Sequence, residues 1–479
     1  MFKKCIAALG LAAVLCVSSA AQDAKTVIAN AAKAMGADNL KTIQYSGSGT
    51  ESSFGQAYDT KSGWPGFEVK TYTRTINFET PAWQIQRVNG DQPADRRGGG
   101  GAGAANQVVI VNANTPWAQL ADYYSTPFGF LRAAASMNST VKSQTIGGKK
   151  YNVVSFTAPS KARVNGYIDD QNMVAKVETW VDTPLTGDTL LETTYSNYKD
   201  FNGVKFPTKI VQKQGDWAIL DLNVAGAKPN VAANIQAPQG RGRGGEGGGA
   251  GGPQVTSSLK LGDGVYAIAP AYASLAVEFK DFIVLFEAPQ SEERTMAIIN
   301  EAKKVIPNKP IKYVVNSHWH IDHSGGLRAA VAEGATIITH EMYKPWLEKA
   351  LNTPHTLNPD KEQQVKNKVK IETMTEKKII TDGNQTIELY HQQGNLHTAG
   401  MIFGYVPKAK VLVEADGFNP PAQAGAQGAI SRHAPNLMDN IQRLKLNVET
   451  VVAIHYPADG RKVPFAEFEK ASQAARSSN

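Results

Sequence analysis

The 479-residue chain has only two cysteines, Cys5 and Cys16, and both fall within its first 21 residues. From residue 22 onward there is no thiol, which excludes a disulfide framework, a cysteine nucleophile and a thiolate metal site from that part of the chain. Histidine is absent from the first 317 residues; all nine lie between His318 and His455. Apolar runs are short as well, and none after residue 21 is long enough to cross a bilayer. Lys and Arg are not clustered among aromatics, so the modest formal charge of +7 reads as solubility rather than as a nucleic-acid footprint. Neither glycine-rich segment, 96–105 or 239–253, ends in Gly-Lys-Ser/Thr or lies between a strand and a helix, which argues against a nucleotide phosphate loop. A Ser-His-Asp set in nucleophile-elbow context is also missing, which disfavours a covalent serine mechanism.

What is present divides the chain into parts. Residues 1–21 have a basic start (Lys3, Lys4), an apolar centre and small residues at 18–21. This is the pattern of a secretory signal peptide, cleaved after Ala20 or Ala21, and it predicts an exported protein, periplasmic or secreted. A lipoprotein anchor at Cys16 is disfavoured because Leu15 stands where such signals need a small residue. Residues 23–36 carry apolar positions at helical spacing. Period-two alternation follows over 69–78, 151–156, 167–181, 189–198, 204–212 and 217–224, with a helical stretch at 127–137. The expectation for 22–238 is a mainly antiparallel β domain with a half-barrel sheet. Its first glycine-rich segment, 96–105, reads as a mobile loop, and the second, 239–253, as the linker to the next domain. Helix first and curved antiparallel sheet after, together with Gly166-Tyr167-Ile168-Asp169 and Tyr198-Lys199-Asp200-Phe201-Asn202-Gly203-Val204-Lys205-Phe206-Pro207, resemble the bacterial lipoprotein-carrier fold. That resemblance implies an acyl-binding half-barrel; a docking or spacer domain fits the same pattern.

From 254 to 479 strands and helices alternate. Strands are predicted at 264–268, 275–279, 282–286, 311–315 and 335–339, and helices at 292–305, 327–333 and 343–351. This is the texture of a layered α/β domain, two sheets covered by helices. Directly after the apolar run 311–315 comes Asn316-Ser317-His318-Trp319-His320-Ile321-Asp322-His323-Ser324-Gly325-Gly326. In extended chain, residues i and i+2 point the same way, so His318 and His320 can face one cation while Trp319 and Ile321 face the packing side. Asp322 and His323 follow where the chain turns into a helical pattern, and they can face a second cation beside the first. Four such ligands within six residues are costly to gather without an opposite charge.

This H-x-H-x-D-H stretch resembles the signature of the metallo-β-lactamase superfamily, and 254–479 resembles its αββα sandwich over nearly its whole length. The resemblance calls for three further ligands, and the chain has a match for each: His397 in Gly394-Asn395-Leu396-His397, Asp416 after Val411-Leu412-Val413-Glu414-Ala415, and His455 after Val451-Val452-Ala453-Ile454. It implies His318, His320 and His397 on one ion, Asp322, His323 and His455 on a second, and Asp416 bridging them. It also implies attack by metal-bound hydroxide, with Asp322 as the catalytic group that orients the nucleophile. His320 stands where di-iron redox members have a glutamate, which favours two zinc ions. Asp416 stands where many lactamases have cysteine or serine, which points to the thioesterase, lactonase and general hydrolase branches. The expected function is an exported dinuclear zinc hydrolase of an ester, thioester, lactone or lactam, and the pairing with a carrier-like domain suggests a small apolar or acylated substrate. Two alternatives stay open on the ligand set: a mononuclear iron oxygenase of the persulfide dioxygenase type, and an acyl-binding protein with an auxiliary metal domain. His340, His355, His391 and His433 match no ligand position and read as ordinary residues; of these, His340, near the expected mouth, and His433, on the loop after Asp416, could touch substrate. The substrate loops are expected at 352–361 and 419–434.

Overall fold

The computed structural model describes residues 23–92, 96–236, 256–426, 428 and 430–478. The predicted leader (1–21) and the predicted linker (239–253) lie outside the described residues.

The first domain starts with helix α1 (Ala24–Met35), which buries Val27, Ile28, Ala31 and Met35. The Asp23 side chain accepts the Thr26 N–H at its start, and Gly36, at φ 71°, closes its end. Strands β1 (Thr42–Ser52), β2 (Gly66–Asn77), β3 (Ala82–Asn89) and β4 (Asn106–Ile110) come next, then helices α2 (Trp117–Tyr124) and α3 (Pro127–Ser136). The remaining strands are β5 (Thr140–Ile146), β6 (Lys149–Thr157), β7 (Arg163–Ile168), β8 (Val174–Thr183), β9 (Gly187–Phe201), β10 (Val204–Gln214) and β11 (Trp217–Pro229). They form one eleven-stranded sheet in the order β4-β3-β2-β1-β11-β10-β9-β8-β7-β6-β5, and every neighbouring pair is antiparallel. The two edges, β4 and β5, do not pair with each other, so the sheet stays open.

Ile28 and Met35 of α1 and Phe128 and Phe130 of α3 share one core with Tyr72, Trp83, Val154, Val177 and Phe206 of the strands. Each large apolar side chain so buried contributes roughly 1.5–3 kcal/mol. Strand β1 bends where its pairing registers shift, and there a Cβ on Gly47 or Gly49 would lie 2.1 or 2.0 Å from the carbonyl oxygen of Asn223 or Asp221 on β11. Only glycine permits so close an approach.

The second domain is the expected αββα sandwich. One sheet holds seven strands, from Ser257–Gly262 to Ile371–Met374, with Ile283–Phe286, Ile311–Val315, Thr336–His340 and Ile371–Met374 parallel. The other holds six, from Lys377–Thr381 to Val463–Pro464. Between them Leu275, Val277, Val284, Phe286 and Val315 meet Ile387, Leu389, Ile402, Val411 and Val413. Ile298, Leu327, Val331 and Leu347 cover the outer face of the first sheet, and Leu437, Ile441 and Phe468 that of the second. A short bridge pairs Ala271–Tyr272 with His455–Tyr456.

The domains share a seam. Ala57 and Leu185 of the first lie in the same core as Ile298 and Leu327 of the second. Trp64 of the first stacks at 6.1 Å on Trp319 of the second, which meets Trp346 edge-on at 4.8 Å. Asp188, at the start of β9, accepts the Thr356 and Leu357 N–H groups at 3.0 and 3.1 Å. Asp182 lies 3.4 Å from His355, and Arg328 forks onto Asp360, pinning the loop that carries these groups. No described helix is long and apolar enough to cross a membrane.

Candidate metal centre

Strand Ile311–Val315 is inserted between two parallel neighbours, so its exit point is fixed by ladders on both sides. The chain leaves it three residues before His318. Asn316 holds the exit: its amide donates to the His318 carbonyl at 2.6 Å, and its own oxygen accepts from Thr339. Trp319 is 1% exposed and anchored in the core, so its neighbours His318 and His320 turn the other way, as expected. A single turn, Ile321–Ser324, then presents Asp322 and His323. Asn395 accepts the N–H groups of His397 and Thr398 and so sets the His397 turn. Asp416 sits just past strand Val411–Glu414 at φ 56°, in a turn whose Gly417 and Phe418 N–H groups bond to buried Glu414. His455 is placed by its bridge to Tyr272.

These four places converge. His318, His320 and His397 form one group of donor atoms mutually within 4.8 Å; His318, His323 and Asp416 form a second; Asp322, His323 and His455 form a third. Asp416 Oδ2 lies 3.3, 2.9 and 3.2 Å from the Nε2 atoms of His318, His323 and His397, and its Oδ1 lies 2.9 Å from His455 Nε2. The carboxylate therefore stands between the two triads. Yet His318 Nε2 and Asp416 Oδ2 are buried without a hydrogen-bond partner. Buried polar atoms in that state are rare in folded proteins unless something else binds them. Nitrogen and carboxylate donors that crowd together are the donor set of a borderline divalent cation.

The electrostatics agree. Burial, then the neighbouring His323 and His320, hold His318 well below the ordinary imidazole range, and burial with His397 pushes His320 down to about 3. Burial also works against charge on His323, but Asp416 and Asp322 outweigh it and raise its pKa well above the usual value. Burial favours the neutral form of Asp416, but His323, His397 and His455 overcome it and hold the carboxyl ionised. Asp322 behaves in the same way, through His323. At the centre, His318 and His320 are thus held neutral and the two carboxylates ionised, with a proton favoured on His323 that a cation would displace.

Several groups at the site are invisible to sequence reasoning. Glu287, fully buried at φ 89°, accepts from Ser317 Oγ at 2.5 Å and lies 3.4 Å from His323 Nδ1, while Ser317 Oγ lies 3.0 Å from His318 Nδ1. It is an outer partner for two of the imidazoles. Tyr272 donates to Asp322 Oδ2 at 3.2 Å. The first domain also enters. Gln56, in the β1–β2 loop, donates to Asp322 Oδ1 at 2.7 Å, and the Ala57 carbonyl lies 2.8 Å from His320 Nε2.

The segment 96–105, expected to be mobile, is tied to this place: Gly98 N–H bonds to the Leu396 carbonyl, Gly99 N–H to the Gln56 carbonyl, and Arg432 reaches Gly98 O. Glycine gives backbone freedom, but here it serves close approach. A Cβ on Gly99 would fall 2.6 Å from His397 Cε1 and 3.0 Å from His320 Cε1.

Of the other histidines, His433 has its ring 5.4 Å from that of His397 and accepts from Arg432 Nε. His340 pairs with His391 at 4.7 Å, and His355 belongs to the seam.

The Metallo-beta-lactamase superfamily model matches residues 280–455, a span that contains all seven donors. This part of the chain belongs to that superfamily. A linear primary-alkylsulfatase from Pseudomonas sp is 33% identical over 81 residues, 16% of this chain, and the match spans 12% of that relative's length. Among solved structures, a metallo-β-lactamase from Pontibacter korlensis is 18% identical, covering 46% of this chain and 99% of that one at a TM-score of 0.34. A metallo-β-lactamase from Erythrobacter litoralis is likewise 18% identical, covering 46% and 96% at a TM-score of 0.33.

Proposed function

We propose that the protein is an exported metal-dependent hydrolase with two zinc ions, held by His318, His320 and His397 on one side and by Asp322, His323 and His455 on the other, with Asp416 between. The observation that carries this reading is the convergence of seven donors around the unpartnered, buried His318 Nε2 and Asp416 Oδ2. Zinc in such surroundings supplies a nucleophile at neutral pH and offsets the negative charge that builds on an attacked carbonyl.

The chain's own residues do the rest. Asp322 has Oδ1 engaged by Gln56 and directs Oδ2 toward His323 and Tyr272, so it presents one fixed oxygen that can orient a nucleophile. Glu287 fixes the ring of His323 through Nδ1 and, through Ser317, that of His318. Gly99 packs against the His320 and His397 rings on that side of the centre.

The substrate class is a small molecule with a carbonyl-centred ester, thioester, lactone or lactam bond. Leu396, next to His397 and 37% exposed, offers an apolar contact for an acyl or alkyl part. The local match to an alkylsulfatase favours a second substrate class, alkyl sulfate esters. The helices of the first domain fill one face of its sheet with aromatic side chains, which favours an enzyme over an acyl carrier. Export is supported by the basic, apolar and small-residue pattern of residues 1–21.

The test is elemental analysis of the purified protein together with a panel of lactone, thioester, cephalosporin, short-chain and long-chain ester and alkyl sulfate substrates. About two zinc ions per chain and chelator-sensitive turnover on one class are expected. Iron with oxygen consumption, or no turnover on any class with metal bound, overturns the reading.

A further inference from the structure

We infer that the first domain is a working part of the metal centre, and that Gln56 is a positioning residue which engages one oxygen of Asp322 and so holds the other toward the second group of ligands. The catalytic consequence rests on the hydrolase reading above; the geometry does not.

Asp322 has two equivalent oxygens and a rotatable carboxylate. Gln56 Nε2 donates to Oδ1 at 2.7 Å. A carboxylate oxygen only accepts, so it is the amide nitrogen that faces it. Oδ2 is left 3.3 Å from His323 Nε2, 3.8 Å from His455 Nε2 and 3.2 Å from the Tyr272 hydroxyl. Without the amide, the carboxylate plane is free to turn and neither oxygen is held toward those donors.

The next residue fixes an imidazole in the same way. The Ala57 carbonyl can only accept, so His320 Nε2, 2.8 Å away, carries the hydrogen. The other ring nitrogen, Nδ1, lies 2.9 Å from His397 Nε2 and faces the first group of donors. Two consecutive residues of one loop thus set one ligand in each group.

The loop itself is held. The Gln56 and Tyr58 carbonyls accept from Gly99 and Ala399 N–H at 2.9 and 3.0 Å, Thr398 Oγ1 donates to Tyr58 O, and Trp64 anchors the far end against Trp319. Gly55 fits against Ile321, where a Cβ would meet Cδ1 at 2.5 Å. A spacer domain has no need of this fit to the signature turn.

The experiment uses the full chain with Gln56→Glu, which keeps the size but removes the donor, and Gln56→Ala. Metal-free protein is titrated with Zn(II) against a competing chelator, and the visible spectrum of the Co(II)-loaded protein is recorded with the melting temperature. One of the two equivalents of Zn(II) is expected to bind about 10–100-fold more weakly, the range for loss of an outer partner. The other equivalent should change little, the cobalt spectrum should shift, and the melting temperature should stay close to that of the parent. Unchanged affinities and spectrum in both variants overturn the inference; so does equal weakening of both equivalents with a lowered melting temperature, which would mean that the loop acts through the fold. A parent that binds both equivalents but turns over no substrate refutes the hydrolase reading and leaves these readouts to decide Gln56.

Discussion

The two domains meet at one centre but contribute different things to it. The second supplies all seven donors, each placed at or just beyond the end of a buried strand or on the turn that follows one. The first has no histidine and contributes an amide, two carbonyls and a glycine backbone, all from connections between antiparallel strands. The difference follows from burial. Strands packed inside a covered sheet, whether parallel like Ile311–Val315 or antiparallel like Thr386–His391, hold the points where the chain emerges, which suits ligands. Hairpin loops of an open sheet reach farther and suit covering and orienting.

The sharpest way to break this division is at Asp416. Asp416→Ala removes the group between the triads and should cost more than the roughly 100-fold typical of an outer partner; metal content by elemental analysis and turnover should fall together, and chelation of the parent should mimic it. Arg328→Ala tests the seam instead. It strips Asp360 of its buried forked partner, with an expected loss of about 3 kcal/mol in denaturant unfolding. Zinc stoichiometry of the folded fraction should be unchanged. Glu287→Gln keeps the shape but weakens the acceptor near His323 and His318, and about tenfold weaker zinc binding is expected by competition titration. Gly99→Ala brings a methyl to 2.2 Å from Gln56 Oε1 and 2.6 Å from His397 Cε1; zinc affinity and turnover should both drop several-fold with the melting temperature close to that of the parent, the outcome expected of a covering loop. Smallest is Asp188→Ala, which frees the Thr356 and Leu357 N–H groups. A loss of about 1 kcal/mol in thermal unfolding is expected, and unaltered turnover would place this contact outside the chemistry.

The centre was far more legible in sequence than its surroundings. His318, His320, Asp322 and His323 stand within six residues, so local spacing marked them, whereas His397, Asp416 and His455 were found because the family resemblance called for them in short patterns that the chain matches. Gln56 bonds to a residue 266 positions away, and nothing local distinguishes it from any loop glutamine. Glu287 is one acid after an apolar run; that it ends a buried strand beside the centre was its only signal.

The elements that escaped the period-two reading did so for physical reasons. Strand β5 is almost wholly exposed, so it has no apolar face to alternate. Strand β1 runs through Ser46-Gly47-Ser48-Gly49, where close packing demands small residues and erases the pattern. The glycine-rich segment 96–105 shows the limit of composition most clearly: it reports what the backbone is free to do, not what its neighbours then hold it to.

The indole pair across the seam gives the molecule a built-in optical gauge. Trp64 rides on the loop that carries Gln56, while Trp319 lies between two of the histidines, so any loosening of one part from the other changes the surroundings of both rings at once. The difference in intrinsic emission between the parent and Trp64→Phe, which removes the signal of the five tryptophans outside the pair, should therefore report, without a dye or a tag, whether the covering loop is seated in a given metal-loading state.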